Sequence, residues 1–356
     1  MSGTLTLCPH FGACGGCSLQ DMPGDAYGRF KRDVVVDALT KVGVKADVAA
    51  PVIVAPKTRR RAVFKIKALT DGVAIGFHAA KSHSIVDMQQ CLVLTPGLLA
   101  LVGELRTALA GVMHAGEAGE LHVTESDTGF DAALRWARKL TPELTADLSR
   151  ALRGKAIARL TMNGAVVFET AIPTVSFGDV AVRLPSASFL QASRDGEKAL
   201  QTRVGAIVGK AKRIADLFSG LGTFALPLAR HARVHAVEYD AAAIAALAVA
   251  AKTPGLKSVT TEARDLFKLP LTPLELAPYD AVVLDPPRAG AQAQAAALAK
   301  SKVPVIAYVS CNADSFARDA AILIAGGYTP GPVTPIDQFL WSSHIELVGS
   351  FRRGRA

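Results

Sequence analysis

The tripeptide Ser310-Cys311-Asn312 closes an apolar, β-branched run from Val303 to Val309 and leads into a helical pattern. In an open α/β sheet the carboxyl ends of the strands border the ligand crevice, so a thiol at that junction faces a binding site and can serve as a nucleophile. The competing reading makes Cys311 a small packing residue, because free cysteine is among the most buried residue types. The residues upstream weigh against it. Gly220-Leu-Gly222-Thr223-Phe-Ala225 follows a strand pattern that starts at Ile214, and Glu238 ends a second strand about twenty residues later. A glycine turn of this kind, with an acid for a ribose, suits a dinucleotide and S-adenosylmethionine equally, since both present an adenosine. Asp285-Pro286-Pro287-Arg288 ends the fourth strand pattern. Its two prolines remove backbone donors and stiffen the loop, which suits a wall against a flat base better than a pyrophosphate site. A helix cap is the alternative role for Asp285.

A second cluster of chemistry lies near the start of the chain. Cys8-Pro-His10-Phe-Gly-Ala-Cys14-Gly-Gly-Cys17 sets three thiols on one glycine-rich loop. Thiols so spaced converge on one metal centre, which takes four ligands as an iron–sulfur cluster or as tetrahedral zinc. Cys91 is the only further cysteine besides Cys311, so the arithmetic assigns it to this site. Spacing alone leaves iron and zinc both open, with His10 able to replace one thiol.

The elements that must position these groups fall into two halves. A chain of 356 residues, half apolar and one-fifth charged, is long enough for two or three globular domains. Its longest apolar stretch, Ala241 to Ala251, is shorter than a membrane span, and Met1 to Leu7 lack the pattern of a secretory signal. A cytoplasmic protein without a membrane partner is expected, with its cysteines reduced. The formal charge of +9 favours a polyanionic partner. Arg59-Arg60-Arg61, followed by Lys65 and Lys67 on the alternating strand Ala62 to Ala68, would line one sheet face with cations. Arg352, Arg353 and Arg355 form a second cluster that reads as a flexible tail.

Helical periodicity runs from Tyr27 to Val48 with Gly43 as a stop, from Pro96 to about Val112, and near Pro142 to Leu152. Strand patterns occupy Val52 to Val86, with a turn at Asp71-Gly72, then Leu121 to Glu125 and Val166 to Ala171. Together they predict an α+β region up to about residue 185. After Leu190, strands at 214–218, 233–238, 259–261, 281–284, 303–309 and 345–351 alternate with Ala-rich helices. That alternation predicts a doubly wound, mostly parallel sheet. The expected divisions are 1–95, 96–185 and 186–356.

In these residues the chain resembles the bacterial iron–sulfur RNA uridine-C5 methyltransferases that act on 23S ribosomal RNA, with the tRNA T-loop uridine methyltransferase as a relative lacking the cluster. The matching stretches are the Cys8/Cys14/Cys17 loop, Arg59-Arg-Arg-Ala62, Gly76-Phe77, Ser82 to Asp87, Cys91, Phe189-Leu-Gln191, Asp216 to Gly222, Asp285 to Arg288, Ser310 to Asn312 and His344-Ile-Glu346. The resemblance implies a Rossmann-like class I methyltransferase domain preceded by a smaller α+β domain carrying the iron–sulfur loop. No N-terminal RNA-binding β-barrel is expected before Cys8, although some members of the family carry one. The same resemblance implies a [4Fe-4S] cluster on Cys8, Cys14, Cys17 and Cys91, and S-adenosylmethionine contacts from Gln191, Phe218, Thr223, Glu238, Asp265 and Asp285, beside the turn glycines Gly220 and Gly222. The resemblance further implies Cys311 as nucleophile and Glu346 as general base, acting on RNA, 23S rRNA before tRNA; a monomer is expected. Arg59, Arg60, Arg61, Lys65, Lys67 and Arg288 are the expected RNA contacts. The sequence departs from the family at Ser193 and Thr223, where asparagine is frequent, and at Leu92 and Ala313, where proline is.

The implied reaction accounts for the residue types. Carbon 5 of uracil is a poor nucleophile toward a sulfonium methyl; thiolate addition at C6 places negative charge at C5, and a base must later remove the C5 proton so that the thiol can leave. Arg288 or the N-terminus of the helix after Cys311 would lower the thiol pKa. Cytosine-C5 enzymes commonly carry a cysteine after the fourth-strand Pro-Pro, where Arg288 stands here, and a nicotinamide-dependent oxidoreductase is the more distant alternative. None of the loop cysteines belongs to the sheet crevice, so the cluster is expected far from methyl transfer, supporting RNA recognition or folding.

Overall fold

The structure is a computed structural model that describes residues 7–354. Its larger sheet runs, edge to edge, Val52–Ile53, Thr334–Asp337, Glu346–Arg352, Val305–Ser310, Ala281–Leu284, Arg213–Leu217, Arg233–Glu238 and Val259–Ala263, with Thr329–Pro330 also on Glu346–Arg352. The five central and right-hand strands pair in parallel, whereas Glu346–Arg352 is antiparallel to both neighbours. This is the expected doubly wound sheet. The strands buried on both faces are nearly continuous runs of Val, Ile, Leu and Ala, as parallel strands covered by helices must be.

Reversal of one strand has a chemical consequence. The parallel strands deliver their carboxyl ends to one rim, and Glu346, first residue of the antiparallel strand, starts from that same rim. Ser310 pairs with Leu347, so the next residues outward, Cys311 and Glu346, are neighbours across the ladder. Periodicity alone finds both strands but leaves their relative direction open.

A seven-stranded sheet forms the second layer system, ordered Ile85–Asp87, Val73–His78, Arg61–Ala68, Ala118–Ser126, Gly129–Trp136, Ile157–Met162 and Ala165–Glu169. Helices Pro96–Ala110 and Pro142–Leu152 bury Leu98, Leu101, Leu105, Leu144 and Leu148 in the core of this sheet. Each starts on a threonine cap with proline in its first turn, Thr95 accepting from the Leu98 N–H and Thr141 from the Leu144 N–H.

Within the expected 1–95 unit, residues 24–53 pack on the doubly wound half. Helix Gly24–Lys41 packs Val35, Ala38 and Leu39 into the core of the large sheet, against Phe316 and Ala320 of helix Ala313–Ala325, and Val52–Ile53 adds a parallel edge strand beside Ile336 and Asp337. The described chain therefore starts with the cysteine loop against the seven-stranded sheet, where Cys14 bridges Ala79, and passes to the doubly wound half over residues 24–53. It then crosses to the seven-stranded sheet and returns with the hairpin Thr174–Phe177 and Val180–Arg183, whose Val175, Phe177, Val180 and Val182 join the core of the large sheet. Among the described residues, no helix is long and apolar enough to cross a membrane.

Candidate active site

The turn after Arg213–Leu217 holds Phe218, Gly220 and Gly222 at positive φ of 62°, 52° and 94°. A non-glycine residue in that region is strained, and such strain is kept where the surroundings fix it, commonly at a ligand site. A Cβ on Gly222 would lie 2.5 Å from the Leu247 side chain, so glycine there permits close helix packing, whereas one on Gly220 would meet nothing within 4 Å. Open space therefore lies above the turn. Glu238 closes it from the next strand, accepting the Gly220 N–H at 2.9 Å and the N–H groups of Tyr239 and Asp240. Thr223 sits on the same turn with its carbonyl accepting from Gln201. Asp265 accepts the Phe267 N–H, and the half-exposed Phe267 ring lies 5.5 Å from that of Phe218.

Two buried polar groups at this turn, Asp216 and Ser219, lie in the matching stretch Asp216 to Gly222 but were given no role of their own by the sequence. Both carboxyl oxygens of Asp216 and the hydroxyl of Ser219 are buried without hydrogen-bond partners among the described residues. Burial first, then the nearby Asp285 and Glu238, push the Asp216 carboxyl well above the usual range. The Ala225 N–H acts on that carboxyl in the opposite direction, and the unpaired Ser219 hydroxyl is the group that a polar ligand bound above the turn would satisfy.

The second wall is built from strand ends. Asp285 is not a helix cap, because the following helix starts after Ala291; its carboxylate accepts from Gln191 Nε2 at 3.1 Å. Burial pushes Asp285 up to about 7. Glu346 is 3% exposed, and burial followed by the charge of Asp285 raises it to about 8. Cys311 is half-buried rather than sealed in hydrocarbon. Burial, Glu346 and Asp285 push its thiol up to about 11, and Arg288 opposes them. Arg288 thus acts in the expected direction and is outweighed, because Cys311 faces two acids as well as one cation. Two of the departures from family residues are accommodated locally: Ser193 caps helix Arg194–Val208 through its hydroxyl, and Ala313 opens helix Ala313–Ala325, which the matching Asn312 caps by accepting the Ser315 N–H at 3.0 Å.

Of the expected RNA contacts, Arg60 is a correction. Strand alternation turns it inward, 1% exposed, where it pairs with Glu197 at 2.6 Å and donates to the Gln191 carbonyl. It braces the site instead of facing a ligand. Arg59 is half-buried and borders the cysteine cavity. Arg61, Lys65 and Lys67 do share the outward face; Lys65 pairs with Glu120, and Arg61 lies 4.4 Å over the exposed ring of Phe189. Arg355 lies outside the described residues.

Cys8, Cys14, Cys17 and Cys91 line one cavity of about 350 Å³. None forms a disulfide. In this structure no group of three or more His, Cys, Asp or Glu side chains among the described residues is gathered at metal-binding distance. The donor set nevertheless fits a four-thiolate centre: the thiols are near enough to raise one another's pKa, with burial the larger cause for Cys14, Cys17 and Cys91. His10 also borders the cavity, where its Nε2 accepts the N–H groups of Gln89 and Gln90, next to Cys91. The cavity is also less remote than expected. Phe339, Leu340, Ser342 and His344, from the segment that runs into Glu346, form part of its wall, and the Trp341 carbonyl accepts the N–H groups of Ser18 and Leu19.

Comparison with known proteins agrees with this architecture. Residues 159–352 match the family model described as tRNA (Uracil-5-)-methyltransferase. An uncharacterized RNA methyltransferase of Brucella suis biovar 1 is 46% identical over 98% of this chain and 84% of its own length. The 23S rRNA (uracil(1939)-C(5))-methyltransferase RlmD of Aromatoleum aromaticum is 32% identical over 97% of this chain and 85% of its own. The solved Pyrococcus abyssi tRNA (uracil-54, C5)-methyltransferase, in complex with S-adenosyl-L-homocysteine, shares the fold with a TM-score of 0.74 and 22% identity, covering 98% of this chain and 88% of that one. The chain belongs to the RNA uracil-C5 methyltransferase family.

Proposed function

We propose that this protein methylates C5 of a uridine in 23S ribosomal RNA, using S-adenosylmethionine and a transient bond between Cys311 Sγ and uracil C6. The observation that carries the reading is the adjacency of Cys311, Glu346 and Asp285 at the strand rim beside the glycine turn. The glycine turn, Glu238 and the unpaired Ser219 would hold the methyl donor, together with Gln191, Phe218, Thr223, Asp265 and Asp285. When bound, S-adenosylmethionine supplies an electrophilic methyl group.

In the first step the Cys311 thiolate adds to C6, and the electron pair of the C5–C6 bond moves to C5 as an enolate. Carbon 5 then takes the methyl group, and the sulfonium leaves as a neutral thioether. Glu346 removes the C5 proton, the C5–C6 double bond re-forms, and the C6–S bond breaks to return the thiolate. The raised pKa of Glu346, about 8, makes its carboxylate a stronger base than an ordinary one, whereas a thiol raised to about 11 must first give up its proton to act as nucleophile.

The ribosomal target is supported by the relative named for 23S rRNA, similar over nearly the whole chain. Arg288 after Pro287, where cytosine-C5 enzymes carry a cysteine, supports uridine over cytosine. Arg61, Lys65 and Lys67 are the proposed backbone contacts, a set whose loss should flatten the salt dependence of RNA binding. Cys8, Cys14, Cys17 and Cys91 would hold a [4Fe-4S] cluster, which supplies four metal–thiolate bonds joining residue 91 to the 8–17 loop.

The test is a pair of variants. Cys311→Ala should abolish methyl transfer to 23S rRNA while retaining S-adenosylmethionine affinity, and Glu346→Gln should accumulate a denaturant-stable protein–RNA species. Turnover by Cys311→Ala would remove the covalent step.

A further inference from the structure

Gln338 follows strand Thr334–Asp337 and is 2% exposed, with no role assigned by motif or spacing. Its Oε1 accepts the Ala192 N–H at 3.0 Å, which fixes the orientation of its amide. Its Nε2 donates to Glu346 Oε2 at 2.9 Å and to Gln191 Oε1 at 2.6 Å. Gln191 is thereby turned so that its own Nε2 donates to Asp285. Both amide hydrogens of Gln338 are used, and flipping either amide would set donor against donor in a buried chain. The Arg194–Val208 helix presses on it: a Cβ on Gly196 would lie 2.8 Å from Gln338 Cβ.

The geometry points to Gln338 as a positioning residue that holds the Glu346 carboxylate, and through Gln191 the Asp285 carboxylate, in the orientation and charge state required for removal of the C5 proton. This inference rests on Glu346 being the base. The charged groups facing Glu346 are Asp285 and Cys311 on one side and Arg61, itself flanked by Arg59 and Arg60, on the other. Burial and Asp285 favour the neutral acid; the Gln338 donor and Arg61 favour the ionised form.

The experiment measures single-turnover release of methylated RNA against pH for wild type, Gln338→Met and Glu346→Gln, with S-adenosylmethionine affinity as control. Methionine matches the volume of glutamine and removes the donor. The rise of release rate with pH, measured at saturating S-adenosylmethionine, should move alkaline by about one pH unit in Gln338→Met, with adduct formation retained. An unmoved profile in Gln338→Met, while Glu346→Gln still accumulates adduct, overturns the role of Gln338 alone. Failure of Glu346→Gln to accumulate adduct overturns the base and this inference together. If Gln338→Met does not fold, Gln338→Asn, one methylene short of bridging both partners, must show the same alkaline displacement; a wild-type profile there overturns the proposal.

Discussion

At the scale of single residues the site is a balance among acids. Asp285 and Glu346 both titrate above their ordinary range because they are buried near one another, so the folded protein holds protons that the unfolded chain releases. Stability supplied by protonation is then present below the unfolded values and is lost as pH rises through about 7 to 8. Glu346→Gln should therefore stabilise the cofactor-free protein at pH 8 by on the order of 2 kcal/mol and leave it little changed at pH 4, as chemical denaturation at the two pH values would show. Equal effects at both would mean that Glu346 is not held above its ordinary range. Cys311, Asp285 and Glu346 were legible in the sequence because each ends or begins a strand pattern and carries recognisable chemistry. Gln338 was not, since a glutamine acquires its role from partners 146 to 147 residues away in the chain. Arg60 was misread because a run of cations looks exposed until strand phase turns every second one inward.

At the scale of elements, the helix Gly24–Lys41 is the piece whose place the sequence concealed. Its amphipathic pattern shows a buried face without showing which sheet it covers. The structure answers through Lys31, fully buried, which pairs with Asp337 at 2.8 Å and donates to the His344 carbonyl, while Tyr27 donates to the same carboxylate. Burial pulls the Lys31 ammonium down and Asp337 holds it up. These bonds clamp both ends of the segment 337–344, which carries Gln338 and leads into Glu346. Removing one partner leaves an uncompensated buried charge, so Lys31→Ala should cost about 3–5 kcal/mol, measurable by denaturant unfolding. A loss below 1 kcal/mol would show that the pair does not brace the helix. Val52 opens the expected strand-rich stretch, but the two-residue strand Val52–Ile53 is too short to carry a sign that it joins the large sheet beside Ile336.

Across the whole molecule, the cysteine loop and the catalytic rim share one segment. The metal-type spacing of Cys8, Cys14 and Cys17 was plain in the sequence, but its nearness to Glu346 depends on the fold of residues 339–344 against the cavity, which no local pattern encodes. Cys14→Ala should accordingly speed amide hydrogen exchange at Ser18 and in the segment 339–344 by about tenfold or more, without weakening S-adenosylmethionine binding. Unchanged exchange there would confine the cysteines to the N-terminal loop. The account as a whole rests on a bond between one sulfur and a pyrimidine ring. RNA carrying 5-fluorouridine at the target replaces the C5 proton with fluorine, which Glu346 has no means to remove as a proton, so the wild-type enzyme should stall on it after methyl transfer. Peptide mass spectrometry of that product is predicted to find the methylated fluoronucleotide on Cys311; methylated RNA released with no modified peptide, or the nucleotide on another cysteine, would contradict it.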